Sequence, residues 1–352
     1  MKIAYVFTNY HLANITAQAG IMQKLADKAR QQGHQVFILS NAPKSHLPRP
    51  DSNYLIIEGE GVVQTFFYKI PAIISFLRKK NPDVVHVNGA FMMLFIWVIN
   101  YLIRKPLFAF LSETHDDFSS IKKFLTVVAI RSARRVYVAS RFLSRHWMDT
   151  GISLKKIEFV SVGLNPVFLK PPTINKHDSD VLFFGDSYIE RGIADVYQVA
   201  LLLPRVDFQV LIRKKGKNGS NYLRKLEKMN NVSVLFYPYK KPLMTYLTRA
   251  RIIFLPIRWM LVRPPISLVE ALALGKCVIT SKLEGNEEVV TPGKTGFLIN
   301  FDNHDKIANK IKQLLKNRTL RQRIEKGAQK KIQRLYTSRE YNRIIHSYKK
   351  YL

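Results

Sequence analysis

The strongest constraint on the fold is an alternation of short apolar runs with helix-like segments, which stops at a proline-rich stretch and then starts again. Such alternation is typical of βαβ units, and uninterrupted apolar runs favour parallel sheets covered on both faces. The chain is therefore predicted to be an α/β protein with two doubly wound parallel sheets. The predicted strands are 1–8, 36–39, 83–87, 107–111, 136–139 and 157–162 before the break, and 181–184, 207–212, 232–236, 252–256 and 277–280 after it.

The break itself predicts the domain boundary. Residues 165–172 contain three prolines and lead into a polar segment, which is typical of a linker. We expect an N-terminal Rossmann-like domain over 1–165 and a C-terminal one over 173–337, and 352 residues suffice for two such cores. Residues 338–352 have helical periodicity and need a surface to cover; their apolar positions are Tyr341, Ile344, Ile345, Tyr348 and Tyr351.

The charge of the chain narrows the classes of partner. With 56 Lys and Arg against 25 Asp and Glu, the formal net charge is +31, which favours an anionic partner such as nucleic acid, an anionic lipid surface or a phosphorylated ligand. No nucleic-acid-binding motif is present, and aromatic residues do not interleave with the basic clusters as stacking platforms require. We therefore expect no nucleic acid partner.

Two further features bear on the cellular setting. The single cysteine, Cys277, lies in an apolar run and is interpreted as a buried structural thiol. The N-terminus runs directly into a predicted strand without a basic region or cleavage site, so a cytoplasmic location is expected. The apolar segment 91–103 is shorter than the roughly 20 residues that span a bilayer, and it is either a core helix or an interfacial one.

Ligands of parallel sheets bind beyond the carboxyl ends of strands, where helix N-termini attract phosphate. Gly20, after the first strand, leaves room for a diphosphate, although ordinary turn chemistry also explains it. After the strand at 181–184, Gly185 ends the strand and Arg191 precedes a helix, where a guanidinium can pair with phosphate or simply face solvent.

The segment 264–275 opens a helix with two prolines, which leaves the N–H groups of Ile266 and Ser267 available to an anion. Glu270 either accepts hydrogen bonds from ribose hydroxyls or complements the helix dipole. His115 follows the strand at 107–111 beside three carboxylates, and it is a general acid or base, a metal ligand or a solvated loop residue.

Several of these segments together resemble the family-4 class of retaining glycosyltransferases, and the likeness covers nearly the whole chain. It is carried by SLVEALALGKCVITS, EVVTPGKTGFLIN, GHQVFILS, PDVVHVNG, the THDD turn and KIEFVSVGLNPVF. The resemblance implies the GT-B fold, in which two Rossmann-like domains face a central cleft. It also implies that the helix at 338–352 crosses back to the N-terminal domain, which binds the acceptor.

The resemblance also implies roles for single residues. Glu270 would hold the donor ribose, Arg191 would bind phosphate, Gly20 would face the diphosphate and His115 would contact the transferred sugar. Arg263 would help to neutralise the departing diphosphate, so neither a metal nor another cofactor is expected. The chain departs from the family at three positions, which are Val262 in place of the first glutamate of the E-x7-E motif, Asp186 in place of an arginine, and Ala19 in place of a glycine.

The function expected from the resemblance is retaining transfer of a hexose from a nucleotide-diphosphate sugar to a lipid-linked or glycan acceptor, in polysaccharide biosynthesis. Two apolar segments with basic flanks, 62–80 and 91–105, predict a peripheral position on the inner face of the cell membrane. Two alternatives stay open, a nucleotide-sugar epimerase of the same fold and a catalytically degenerate nucleotide-sugar-binding paralogue.

Overall fold

The computed structural model describes residues 1–10, 17–42, 51–59, 66–161, 164, 166–169, 177–237, 243–260, 262–301, 303–337 and 339–352. The chain divides into two compact units. The first unit comprises Met1–Gly163 together with Tyr336–Leu352, and the second comprises Leu164–Leu335. Residues 165 and 170–172 of the predicted linker lie outside the described residues, whereas 166–169 form a short 3₁₀ helix.

The first unit is built on a seven-stranded parallel sheet in the order β3-β2-β1-β4-β5-β6-β7. Its central strands are continuously apolar and buried, as sheets with helices on both faces require. The strand order reverses between β1 and β4. The strands are β1 (Lys2–Val6), β2 (Gln35–Ala42), β3 (Tyr54–Glu58), β4 (Val84–Asn88), β5 (Leu107–Leu111), β6 (Arg135–Val138) and β7 (Ile157–Phe159).

Helices cover the two faces of this sheet unequally. One face carries α2 (Ile70–Lys80), α3 (Ala90–Ile103), α4 (Ser120–Ser132) and α5 (Arg141–Asp149), whose inner sides share one hydrophobic core. The other face carries α1 (Ala17–Gln31) and the C-terminal α13 (Arg339–Tyr348), which share a second core. The C-terminal segment is therefore part of the first unit.

The C-terminal helix contacts the sheet through buried aromatic and polar groups. Ile344, Ile345 and Tyr348 are fully buried against the sheet. The Tyr348 hydroxyl forms a hydrogen bond with Nδ1 of His86, a residue of β4. The helix ends at Tyr348 and a 3₁₀ turn, Lys349–Tyr351, completes the segment that the sequence predicted as one helix.

The second unit is built on a six-stranded parallel sheet in the order β10-β9-β8-β11-β12-β13. Its strands are β8 (Ser179–Gly185), β9 (Phe208–Ile212), β10 (Val232–Phe236), β11 (Ala250–Leu255), β12 (Cys277–Ser281) and β13 (Phe297–Ile299). Its helices are α6 (Ile193–Leu201), α7 (Ser220–Glu227), α8 (Leu243–Arg249), α9 (Ile266–Ala273), α10 (Asn286–Val289), α11 (His304–Lys316) and α12 (Arg318–Leu335).

The predicted fold class, with two doubly wound parallel sheets, is confirmed. One strand assignment was wrong, because residues 83–87 form the fourth strand and not the third. Two strands, β3 and β13, are absent from the predicted set. Both lie at the edge of a sheet and are mostly half-exposed, so they lack the apolar character of the central strands. Cys277 is buried as predicted, and burial raises the pKa of its thiol to about 12.

The apolar segment at 91–103 forms most of α3 and has two different sides. Met92, Met93 and Ile96 are buried in the core, whereas Tyr101 and Leu102 are more than half exposed. Among the described residues, no helix is both long enough and apolar enough to cross a membrane.

The burial of His86 predicts a pH dependence of stability. Burial lowers the pKa of this imidazole to about 3 from 6.5, so the unfolded chain binds a proton that the folded protein does not. The free energy of unfolding therefore decreases as the pH falls below 6.5. The decrease is about 1.4 kcal/mol per pH unit for this one group. Urea denaturation of the whole protein at several pH values between 7 and 4.5 measures how the free energy of unfolding depends on pH.

His86→Asn removes the titrating group and is expected to flatten the slope by about one proton equivalent. His346→Asn, at an exposed position of α13, is the matched control. Equal slopes for the two variants would contradict the assignment of the effect to His86.

Candidate functional site

The second sheet reverses its strand order between β8 and β11, which is where parallel sheets of this kind bind ligands. The two segments that leave these strands at their carboxyl ends are 186–192 and 256–265. Most of the sequence-predicted site residues lie in or next to these segments, and they are Gly185, Arg191, Arg263, Ile266, Ser267 and Glu270.

The two segments touch through their backbones. Gly192 has φ +88, and a Cβ built on it would lie 2.0 Å from the carbonyl oxygen of Pro256. The carbonyl oxygen of Glu190 accepts hydrogen bonds from the N–H groups of Arg258 and Trp259, at 2.9 and 3.1 Å. Only glycine permits this approach, so Gly192 sets the spacing of the two segments.

Arg191 connects the same two segments through its side chain. Its Nη1 donates a hydrogen bond to the carbonyl oxygen of Trp259 at 3.2 Å. Burial lowers the pKa of the guanidinium, with Arg213 adding to the effect and the nearby Asp186 opposing it. An arginine stays protonated even so, and the site therefore holds a half-buried positive charge.

The segment that follows β9 packs beneath the first of these loops. The Ser187 hydroxyl accepts a hydrogen bond from the N–H of Gly216 at 2.8 Å. A Cβ on Gly219 would lie 1.8 Å from the carbonyl oxygen of Ser187. The carboxylate of Asp186 accepts two hydrogen bonds from Arg213, at 2.9 and 2.8 Å. Three segments, from β8, β9 and β11, are thus fixed against one another.

Arg263 is a buried residue of the segment that leaves β11. Its Nε donates to the carbonyl oxygen of Met260 at 2.8 Å, and its Nη1 lies 3.2 Å from a carboxylate oxygen of Glu284. A Cβ on Gly285 would lie 2.9 Å from the Cβ of Arg263. The guanidinium is thus held by neighbouring groups within the second unit.

Helix α9 begins at the end of the β11 segment. Pro265 caps it, and the first N–H groups of a helix, here those of Ile266 and Ser267, have no acceptor within the helix. This end of the helix therefore attracts an anion. Glu270 lies one turn further on and is half-buried, as is Val262, which places no carboxylate where the family has its first glutamate.

The remaining two predicted site residues lie in the first unit. Gly20 is a buried residue of the first turn of α1, and the preceding segment 11–16 lies outside the described residues. His115 is buried after β5, with its ring 4.7 Å from that of Trp147. Burial and the neighbouring His146 lower the pKa of His115. This favours a neutral imidazole that can exchange hydrogen bonds with a ligand.

Sequence reasoning did not identify His146 as a neighbour of His115. Its Nε2 lies 3.1 Å from Nδ1 of His115, and its Nδ1 lies 4.0 Å from a carboxylate oxygen of Asp116. These three side chains have ligand atoms within 4.8 Å of one another, a spacing that suits a metal ion. The hydrogen bond between the imidazoles accounts for the same spacing without one, and the absence of a metal cofactor stays a prediction.

Two family comparisons cover most of the chain. Residues 167–331 match the family described as Glycosyl transferases group 1, and residues 21–168 match the one described as Glycosyltransferase Family 4. The chain belongs to the group 1 glycosyltransferases. Its likeness to that family, expected from the sequence motifs, is confirmed.

Two curated relatives of this group 1 glycosyltransferase come from bacteria. An uncharacterized 41.2 kDa protein in the cps region of Klebsiella pneumoniae is 24% identical over 276 residues, covering 70% of this chain and 72% of the relative. The N,N'-diacetylbacillosaminyl-diphospho-undecaprenol alpha-1,3-N-acetylgalactosaminyltransferase of Campylobacter jejuni is 27% identical over 182 residues. That match covers 51% of this chain and 47% of the Campylobacter enzyme.

Two solved structures have the same fold as this chain. Anabaena HepE in complex with UDP and glucose superimposes with a TM-score of 0.82 at 14% identity, over 100% of both chains. Sucrose-phosphate synthase from Thermosynechococcus elongatus also gives a TM-score of 0.82 at 14% identity, over 99% of this chain and 98% of the synthase. At this level of identity the likeness establishes the fold alone.

The close approach at Gly192 gives a test of the site geometry. In Gly192→Ala the new Cβ meets the Pro256 carbonyl and the residue has to adopt a left-handed conformation, so we expect a loss of about 3 kcal/mol in unfolding free energy. Gly293→Ala is the control, because Gly293 has φ +71 with nothing within 4 Å of its would-be Cβ, and about 1 kcal/mol is expected. Denaturant unfolding that gave equal losses would contradict the close approach.

Proposed function

We propose that this group 1 glycosyltransferase transfers a hexose, with retention of anomeric configuration, from a nucleotide-diphosphate sugar to a lipid-linked or glycan acceptor. The observation that carries the proposal is the positive end of the second sheet, where Arg191 and the N-terminus of α9 lie in the two segments at the strand-order reversal. A diphosphate is the ligand that this arrangement suits. Anabaena HepE has been solved in complex with UDP and glucose and in complex with UDP-glucose, which makes a UDP-hexose the first donor to test.

We propose a separate role in the reaction for each of the site residues. Arg191 and the first N–H groups of α9 stabilise the negative charge that develops on the departing diphosphate, which is the electrostatic contribution that dominates many catalytic sites. Glu270 accepts hydrogen bonds from the ribose hydroxyls. Gly20 faces the diphosphate and His115 contacts the transferred sugar, as the resemblance implies. Neither a metal nor another cofactor is part of the proposal.

The acceptor is proposed from the Campylobacter relative, whose name specifies a diphospho-undecaprenol acceptor. A lipid-linked acceptor has to be met at a membrane surface, and the first unit has a face that suits this. Helices α2, α3 and α4 cover the same face of the first sheet. The outer side of this layer, called here the apolar face, carries residues that are each more than half exposed, which are Phe67, Tyr68, Val98, Tyr101, Leu102, Ile121 and Phe124.

Basic residues lie in or next to the helices that form the apolar face. Lys69, Arg78 and Lys79 are exposed in or next to α2, Arg104 follows α3, and Arg131 lies in the last turn of α4. Apolar groups flanked by lysine and arginine favour the interface of an anionic membrane, at roughly 1 kcal/mol for each basic residue near the surface. We propose that the protein is cytoplasmic and binds peripherally to the inner face of the cell membrane through this face.

Donor binding can be tested by titrating the protein with UDP-glucose and following heat or thermal stability. Glu270→Ala is expected to weaken binding by roughly 10- to 100-fold, because the ribose loses a charge-assisted hydrogen-bond acceptor. Glu227→Ala, at an exposed position of α7, is the matched control and should bind as the wild type does.

If no nucleotide sugar binds to the wild-type protein, the proposed function is wrong. Product analysis without acceptor separates the alternatives, since an epimerase converts the donor sugar, a transferase releases UDP slowly by hydrolysis, and a degenerate paralogue leaves the donor intact.

The membrane proposal is tested by flotation with vesicles that contain anionic lipid. The double variant Tyr101→Ser/Phe124→Ser removes two apolar groups from the apolar face and is expected to lower the vesicle partition constant by roughly 100- to 1,000-fold, because each buried aromatic contributes about 2 kcal/mol. Phe236→Ser alters an exposed aromatic of the second unit and should leave binding unchanged. Absence of salt-sensitive binding by the wild type, or an equal loss in both variants, would overturn the proposal.

A further inference from the structure

The buried carboxylate of Asp186 occupies an unexpected position. It follows β8 directly, at the end of the sheet where the structure offers positive charge to an anion, and it is one of the departures from the family pattern, which has an arginine there. A carboxylate at this point would repel a diphosphate at close range. Its side chain is only 10% exposed, so its orientation is set by its partners within the protein.

The partner of Asp186 is Arg213, which comes from the neighbouring strand. Arg213 directly follows β9, and its N–H donates to the carbonyl oxygen of Gly185 at 2.9 Å. Its Nε and Nη2 bond to the two oxygens of Asp186 at 2.9 and 2.8 Å. This fork-to-fork pairing fixes the plane of the guanidinium as well as its position.

Arg213 begins the segment that packs against the loop of Arg191, since Gly216 and Gly219 of that segment contact Ser187. Arg213 and Asp186 both act on the pKa of Arg191, in opposite directions. The Arg213 side chain is 48% exposed, whereas its carboxylate partner is nearly buried, so the guanidinium forms the accessible part of the pair.

We infer that Arg213 is a second diphosphate-binding residue of this enzyme and that Asp186 is its positioning residue. The guanidinium that the family supplies from the position after Gly185 comes here from β9, and Asp186 holds it at the same end of the sheet. Arg213 and Arg191 together contact the diphosphate of the donor. This inference rests on the proposed function, because it requires a nucleotide diphosphate in the second unit.

Calorimetry measures the binding of UDP and of uridine to the wild type and to variants of Arg213 and Asp186. Arg213→Ala is expected to weaken UDP binding by roughly 10- to 100-fold, as loss of a charge-assisted phosphate contact does, and to leave uridine binding within about two-fold of wild type. Arg224→Ala, at an exposed position of α7 in the same unit, is the control for loss of one positive charge. It should change UDP binding by less than about two-fold.

The variant Asp186→Ala distinguishes a role of Asp186 in orienting Arg213 from a direct effect of its negative charge on UDP binding. If Asp186 acted only through its negative charge, its removal would tighten UDP binding, whereas loss of positioning weakens it. We expect weaker UDP binding and unchanged uridine binding. Adding Asp186→Ala to Arg213→Ala should cause no further loss, since the two residues act as one unit. Arg213→Lys serves if Arg213→Ala fails to fold, and it should lose part of the affinity because lysine has no planar fork.

The outcomes are distinguishable. If wild type binds UDP but Arg213→Ala binds it equally well, or loses UDP and uridine to the same extent, the role of Arg213 is wrong. Tighter UDP binding by Asp186→Ala would overturn its positioning role. If wild type binds no nucleotide at all, the proposed function itself fails, and the inference fails with it.

Discussion

The candidate site depends on the contact between the backbone of Gly192 and the carbonyl group of Pro256. These residues lie in the two segments that leave β8 and β11, where the strand order of the second sheet reverses. Because a side chain at position 192 would occupy the space of the carbonyl, the two segments keep this spacing only with glycine. The position of Arg191, which bonds to the Trp259 carbonyl, follows from it.

The charges around this contact form a network and not a set of independent cations. Asp195 is buried and is bonded by Arg258, at 2.8 and 2.6 Å, and by His304, at 2.9 Å. Asp186 accepts two hydrogen bonds from Arg213 in the same way. Carboxylates thus fix arginine side chains near the carboxyl end of the sheet. This lowers the net positive charge there, but it also restricts side-chain freedom that would otherwise be lost when a ligand binds.

The sequence allowed prediction of the fold class and of most strands, because the central strands are continuously apolar and their helices have clear periodicity. It failed at β3 and β13, whose half-exposed edge positions give no such signal. Gly185, Arg191 and Glu270 could be located from the rule that ligands bind at the carboxyl ends of strands. The same rule applied to β9 would have indicated Arg213, but its pairing with Asp186 joins two strands, and no spacing along the chain shows it. His146, on α5, is likewise a neighbour of His115 only in the folded unit.

The central claim is that the segments around the reversal in the second sheet bind a nucleotide diphosphate. Hydrogen–deuterium exchange with and without UDP measures this directly, because bound ligand slows exchange of the amides it contacts or orders. We expect protection of 185–192, 213–219 and 256–270, with little change at the opposite, amino-terminal ends of the same strands. Protection absent from these three segments, with UDP demonstrably bound, would contradict it.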